Sequence, residues 1–160
     1  MAGLSFRINT VSTAKEIEAA SALFRAYAEA LGIDLSFQNF EEELRSLPGK
    51  YAPPKGALLL ALRTDGEPLG CVAMRPMSED GCCEMKRLYV APAARGSGVG
   101  LALVEAIVRA ARDAGYREMR LDTLPTMTTA LWLYERQGFV RIGPYYDTPI
   151  AGTVFLAKQL

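Results

Sequence analysis

The sequence predicts an α/β fold in which a mixed sheet of seven strands carries helices on both faces. Apolar residues recur at helical spacing in four segments, each closed by a glycine or a Pro-Gly pair, while the segments between them switch to short apolar runs. The resulting order is β-α-α-β-β-β-α-β-α-β-β. Within it, Glu84 to Thr123 is a strand-helix-strand unit, which a right-handed crossover makes parallel.

Phe6 to Ile8 is a short strand. Thr13 and Glu16 then form a T-x-x-E capping box, in which hydroxyl and carboxylate satisfy each other's free backbone N–H groups. Ile17, Ala20, Phe24, Tyr27 and Leu31 follow at helical spacing, and Gly32 ends the helix. Phe37, Phe40, Leu44 and Leu47 share one face of a second short helix that stops at Pro48-Gly49. Ala57 to Leu62 is a continuous apolar strand, Asp65-Gly66 marks a hairpin turn, and Leu69 to Met74 is the returning strand. Glu84 to Val90 is the next strand, and Val99 to Ala114 is a strongly apolar helix closed by Gly115. A strand near Met119 to Thr123, a helix from Thr128 to Gln137 closed by Gly138, and strands at Phe139 to Ile142 and Thr153 to Ala157 complete the chain.

Composition narrows the chemistry. The chain has 160 residues, of which 50% are apolar, enough for one domain over residues 1–160 with a sizeable core. Its 18 basic residues balance 18 acidic ones, so no excess of cations exists to neutralise a nucleic acid or an anionic membrane. The absence of histidine removes Ser-His-Asp triads, Cys-His dyads and His-ligated metals together. A general base must then be Asp, Glu, Lys, Tyr or a water chain. Cys71, Cys82 and Cys83 lack metal-clamp spacing, and the adjacent pair points to opposite strand faces, so no metal and no disulfide framework is expected. No secretory leader or bilayer-length apolar run is visible, and a cytoplasmic location is expected.

The segment Arg95-Gly96-Ser97-Gly98-Val99-Gly100 lies between a strand and the long helix. Its glycines let the backbone approach a ligand, and the helix N-terminus points free N–H groups and a positive dipole end at it. The alternative is a tight strand-to-helix turn and nothing more. A Rossmann turn requires G-x-G-x-x-G, whereas Gly96, Gly98 and Gly100 give G-x-G-x-G. A Walker loop requires a lysine that is absent here.

The turn matches the [R/Q]-x-x-G-x-[G/A] motif of the GNAT superfamily of N-acetyltransferases at every fixed position. Upstream, Leu88-Tyr89-Val90-Ala91-Pro92 resembles that family's strand and entry turn. Downstream, Ala130 to Phe139 resembles its A-x-x-[L/F]-Y-x-x-x-G-F signature. The resemblance covers essentially the whole chain and implies a mostly antiparallel sheet. It also implies acetyl-CoA as co-substrate and transfer of the acetyl group to a primary amine. A peptide acetylase or a non-catalytic acyl-CoA sensor are the alternatives.

The resemblance further implies that Arg95, Gly96, Ser97, Gly98, Val99 and Gly100 hold the pyrophosphate, and that the pantetheine pairs along Leu88, Tyr89 and Val90, with the Leu88 N–H facing the thioester carbonyl. Glu84, four residues before Leu88 and so expected on the same strand face, matches the position of the family's glutamate base; a raised pKa would suit it, and an ion pair with Lys86 is the other reading. Tyr134 matches the family's general acid, with a core aromatic as its alternative role. Met127 stands where many members have an asparagine that contacts the pantetheine, and supplies packing without the amide bond. Trp132 is read as packing. The acceptor is expected near 32–36 and 143–152, where Tyr145, Tyr146 and Asp147 form either an ammonium site or an ordinary surface loop. A homodimer through the final strands is compatible with the family.

Overall fold

The computed structural model describes residues 4–160, with the side chain of Phe37 excepted. The elements run β1 (Phe6–Thr10), α1 (Ala14–Leu31), α2 (Phe40–Ser46), β2 (Ala57–Arg63), β3 (Pro68–Pro76), β4 (Cys82–Val90), α3 (Val99–Asp113), β5 (Glu118–Thr123), α4 (Thr128–Arg136), β6 (Val140–Ile142) and β7 (Val154–Gln159). They form a seven-stranded sheet in the order β1-β2-β3-β4-β5-β7-β6. The β4–β5 pair is parallel and the other pairs are antiparallel. The mixed α/β architecture therefore stands as the sequence predicts.

Local chemistry accounts for the helix ends. Thr13 Oγ1 accepts the Glu16 N–H at 3.1 Å, and Glu16 Oε1 accepts the Thr13 N–H at 3.1 Å. Gly32 closes α1 in the left-handed region at φ 65°. The second helix is shorter than its spacing suggests. A 3-10 turn at Ser36–Gln38 is cut off by Asn39, which takes φ 57° and starts α2 at Phe40. The side chain of Phe37, assigned to the same face from sequence, lies outside the described residues.

The sheet separates two cores. On one face α3 and α4 bury Val72, Met74, Met85, Leu103, Ile107, Met119, Leu121 and Leu156. On the other, α1 and α2 cover Leu58, Leu60, Cys71 and Ala73 with Phe24, Phe40 and Leu44. Burial on both faces explains why β2 reads as an unbroken apolar run rather than an alternation. All three cysteines are free and buried. No helix among the described residues is long and apolar enough to cross a membrane.

Two irregularities of β4 position everything that follows. It pairs with β5 only through Cys82↔Glu118, Cys83↔Met119 and Glu84↔Arg120, after which the two strands part. On its other side, Lys86 faces Ala73 but Tyr89 faces Cys71, so Arg87 and Leu88 together oppose Val72 in a β-bulge. Arg87 takes φ 61° there, and the Cys71 thiol donates to its carbonyl at 3.3 Å.

Candidate active site

The bulge changes which residues share a face. Even spacing puts Glu84 and Leu88 on one side of an ideal strand. Here the extra residue flips the alternation. Glu84 and Lys86 line a cavity on the α1–α2 side, whereas Leu88 packs with the α3-side core. The shared-face expectation is thus corrected. Beyond Glu84 the gap between β4 and β5 opens into a smaller cavity lined by Leu88, Lys86, Asp122, Met127 and Tyr134.

Next to the gap lies the glycine-rich turn. Gly96 and Gly98 take φ 79° and 89°, conformations strained for any residue with a Cβ. The first bond of α3 runs from the Ala102 N–H to the Gly98 carbonyl at 3.0 Å, and no side chain caps this end. The N–H groups of Val99, Gly100 and Leu101 are consequently available to an anion. Gly100 serves packing instead, because a Cβ there would come 3.0 Å from Leu133 Cδ1. Arg95 donates through Nε to the Val90 carbonyl at 3.1 Å and stacks over the Tyr89 ring, which sets its exposed guanidinium beside the turn. Ser97 donates its hydroxyl to the Ala94 carbonyl. These features fit a pyrophosphate and an extended pantetheine arm.

Tyr134 is buried and packs on Phe139 at 5.8 Å between ring centroids, while also lining the gap cavity. Burial, helped by Tyr27 and the Asp122 charge, raises its pKa, so the phenol keeps its proton. Met127 sits just before α4 and lines the same cavity. Trp132, by contrast, is 55% exposed and lies against the Arg136 guanidinium, so it is not core packing.

Glu84 is 3% exposed and closely held. Arg75 donates to its Oε1 at 2.9 Å, Tyr145 donates to its Oε2 at 2.6 Å, and Lys86 Nζ lies 3.8 Å away. Burial pushes the carboxyl up, but Lys86, Tyr145 and Arg75 together hold it below its usual range. The raised pKa expected of a base is therefore not present, and the ion-pair reading describes what surrounds it.

Tyr145 and Tyr146 do not form a plain surface loop. They pack edge-on against each other and against Phe155, and Tyr146 donates its hydroxyl to Asp122. Asp147 remains exposed at the rim of a cavity of about 700 Å³. Sequence reasoning missed three polar residues here, Arg75, Asp122 and Arg87, and named Lys86 only as an ion-pair partner of Glu84. Arg75 comes from β3, Asp122 lies in β5 facing the gap, and Lys86 borders both cavities. Arg87 is 3% exposed and donates to Glu43 at 2.9 and 3.1 Å and to Gln38 at 2.8 Å, pinning the bulge to α2. The charged run Glu84, Lys86, Arg87 in an otherwise apolar strand was the available signal.

At the paired end of β4 and β5, away from the gap, Glu79, Cys82 and Glu118 come within ligand distance of one another. Arg120 already bridges the two carboxylates, supplying the positive charge such a cluster needs.

Comparison with known proteins agrees with this geometry. The model of the acetyltransferase (GNAT) family matches residues 19–139. An uncharacterized N-acetyltransferase of Schizosaccharomyces pombe is 40% identical over 153 residues, covering 96% of this chain and 94% of its own. The IAA acetyltransferase of Azospirillum brasilense is 38% identical over 104 residues, 63% of this chain and 67% of its own. A GNAT-family acetyltransferase structure from Staphylococcus aureus superposes with a TM-score of 0.80 at 16% identity, covering 97% of this chain and 99% of that one, a likeness of fold.

Proposed function

The chain belongs to the GNAT family of acetyltransferases and is an acyltransferase; from that premise we propose that it moves an acetyl group from acetyl-CoA to the primary amine of a small molecule or amino-acid derivative, by direct attack in a ternary complex. The observation that carries this reading is the gap beyond Glu84, where Leu88 and Tyr134 from one face and Asp122 from the other line a single cavity beside the uncapped end of α3.

Acetyl-CoA supplies the thioester. Backbone N–H groups of Val99, Gly100 and Leu101 hold the pyrophosphate, with Arg95 adding charge. The unpaired edge of β4 over Leu88 to Val90 takes the pantetheine as an added strand. The Leu88 N–H donates to the carbonyl oxygen as negative charge grows on it. Tyr134 holds a proton at Oη for the departing sulfur. Met127 packs along the arm.

The amine must lose a proton, and Glu84 is poorly placed to take it directly because both of its oxygens are engaged. In this reading Asp122 receives the ammonium and its proton, while Glu84 fixes Tyr145 and Arg75 around the acceptor. Exchanging Asp122→Asn is expected to lower kcat more than Glu84→Gln. Equal losses, or a larger one from Glu84→Gln, would return the base role to Glu84.

The reading is tested by a thermal shift with acetyl-CoA, against CoA, ATP and NAD. Ligand at ~100 times its Kd stabilises by about 2.7 kcal/mol, a shift of several degrees. Acetyl-CoA and CoA should shift the melt and NAD should not. No shift at millimolar acetyl-CoA overturns the proposal.

A further inference from the structure

The larger cavity holds hydrogen-bond donors that the protein leaves unused. Lys86 has a side chain 5% exposed, and its nearest charge partner is Glu84 at 3.8 Å, beyond hydrogen-bond length. It makes no hydrogen bond among the described residues. Arg75 spends its Nε on Glu84 and gives neither Nη group a partner among the described residues. The Tyr51 hydroxyl, buried in the wall of the same cavity, has no hydrogen-bond partner among the described residues. A buried ammonium that is not hydrogen-bonded costs free energy, and no packing requirement calls for one.

The acceptors nearby are already committed. Glu84 serves Arg75 and Tyr145, and Glu43 serves Arg87. Arg75 and Lys86 both face the Glu84 carboxylate, while Glu43 is taken up by Arg87 and Asp122 by Tyr146, so the cavity's inner end offers unspent donors rather than free acceptors. Glu42, Asp147 and Lys50 lie exposed at the rim, where water screens them and Arg45 already pairs with Glu42. Lys86 also borders both this cavity and the gap, as does Gln38, whose Oε1 is taken by Arg87.

We propose that Lys86 and Arg75 form a subsite for a carboxylate carried by the acceptor, so that the amine acetylated belongs to an amino acid or another amino-carboxylate. This rests on the acetyl-transfer reading above. With the carboxylate on Lys86, the amine of such a molecule reaches the gap, where Asp122 carries the complementary charge. The Tyr51 hydroxyl stands as a third donor to the bound carboxylate.

Two assays test it. Amino acids are compared with their carboxamides as acceptors, by CoA release, in the wild type, Lys86→Met and Tyr51→Phe. Separately, N-acetyl amino acids and their amides are titrated into CoA-loaded protein by calorimetry. The free acids should be favoured by about tenfold or more in kcat/KM, chiefly through KM, as expected when a site leaves buried donors unpaired with the wrong ligand. Lys86→Met should bring the acid-to-amide ratio close to one, and Tyr51→Phe should reduce it by a smaller factor. Ratios taken within each variant cancel any general loss of activity. Wild type that turns over amides as well as acids, or an intact ratio in Lys86→Met, overturns the subsite. If nothing is turned over yet the N-acetyl acids bind in a Lys86-dependent way, the transfer reading falls and the subsite stands. If neither acids nor amides are turned over or bound, the subsite falls as well.

Discussion

Burial keeps the Tyr134 phenol protonated at neutral pH, the state a general acid must be in, and the side chain borders the gap where the proton would be delivered. Removing the hydroxyl leaves the ring on Phe139, so Tyr134→Phe is expected to lower kcat by ~10²-fold or more and to change acetyl-CoA affinity little. Steady-state kinetics with calorimetric binding checks this, and a kcat within about twofold of wild type refutes the acid role. Tyr134 was legible because a local motif carries it. Glu84 was legible as a residue but not as an environment. Its partners Arg75 and Tyr145 are 9 and 61 residues away along the chain, and no spacing rule within β4 reaches them. Asp122 was missed for the same reason, since its meaning comes from the gap and from Tyr146 across it.

At the level of elements, the helix signals of α1 and α3 survive because capping is a short-range device, written in the residues that perform it. The β4 bulge is different. Face assignments by parity assume a uniform pleat, and one extra residue at Arg87–Leu88 reverses them. What keeps the bulge in place is Arg87, which crosses from β4 to Glu43 and Gln38 and stacks over Tyr27 and Phe40. Truncating it strands the Glu43 carboxylate, so Arg87→Met is expected to cost about 3–5 kcal/mol in denaturant unfolding. The companion exchange Glu43→Gln in that background should recover part of the loss. A single-variant cost under about 1 kcal/mol would mean that the ion pair does not hold the bulge. Because the bulge aims Leu88 at the gap, activity should fall further than the residual folded fraction explains.

Across the whole molecule, the element order and the parallel unit follow from sequence, whereas the gap arises where β4 parts from β5 beyond Glu84 while β5 stays paired with β7 along its whole length. At the edge of that gap the fold places Lys86, an ionised group it would be more stable without, beside Glu84, whose charge stabilises it, and pH reveals the balance. Glu84 has a folded pKa below the ordinary glutamate value of 4.5, so the stability it contributes is complete above that value and is lost as pH falls through the folded one. Lys86 acts with the opposite charge and the same slope. Burial lowers its pKa from 10.5, with Arg87 and Arg75 adding to the effect and Glu84 and Asp122 opposing it. The ammonium therefore costs stability at neutral pH, and that cost is relieved as pH rises toward 10.5. Lys86→Met removes the cost, while Glu84 keeps Arg75 at 2.9 Å and Tyr145 at 2.6 Å. The variant is expected to be at least as stable as wild type, by about 1 kcal/mol at neutral pH, and to lose the upward slope between neutral pH and about 10. From about pH 9 the raised pKa values of Cys71 and Cys83, and above 10 those of Tyr51, Tyr134 and Tyr145, take stability away in both proteins alike, because the folded state then holds protons the unfolded chain releases, so the lysine's slope is read as the difference between the two. Urea unfolding of both proteins across that pH range checks it. A destabilised Lys86→Met with the slope intact would make the lysine a structural partner of Glu84; a stabilised one that has lost its preference for acids would mark stability given up for recognition.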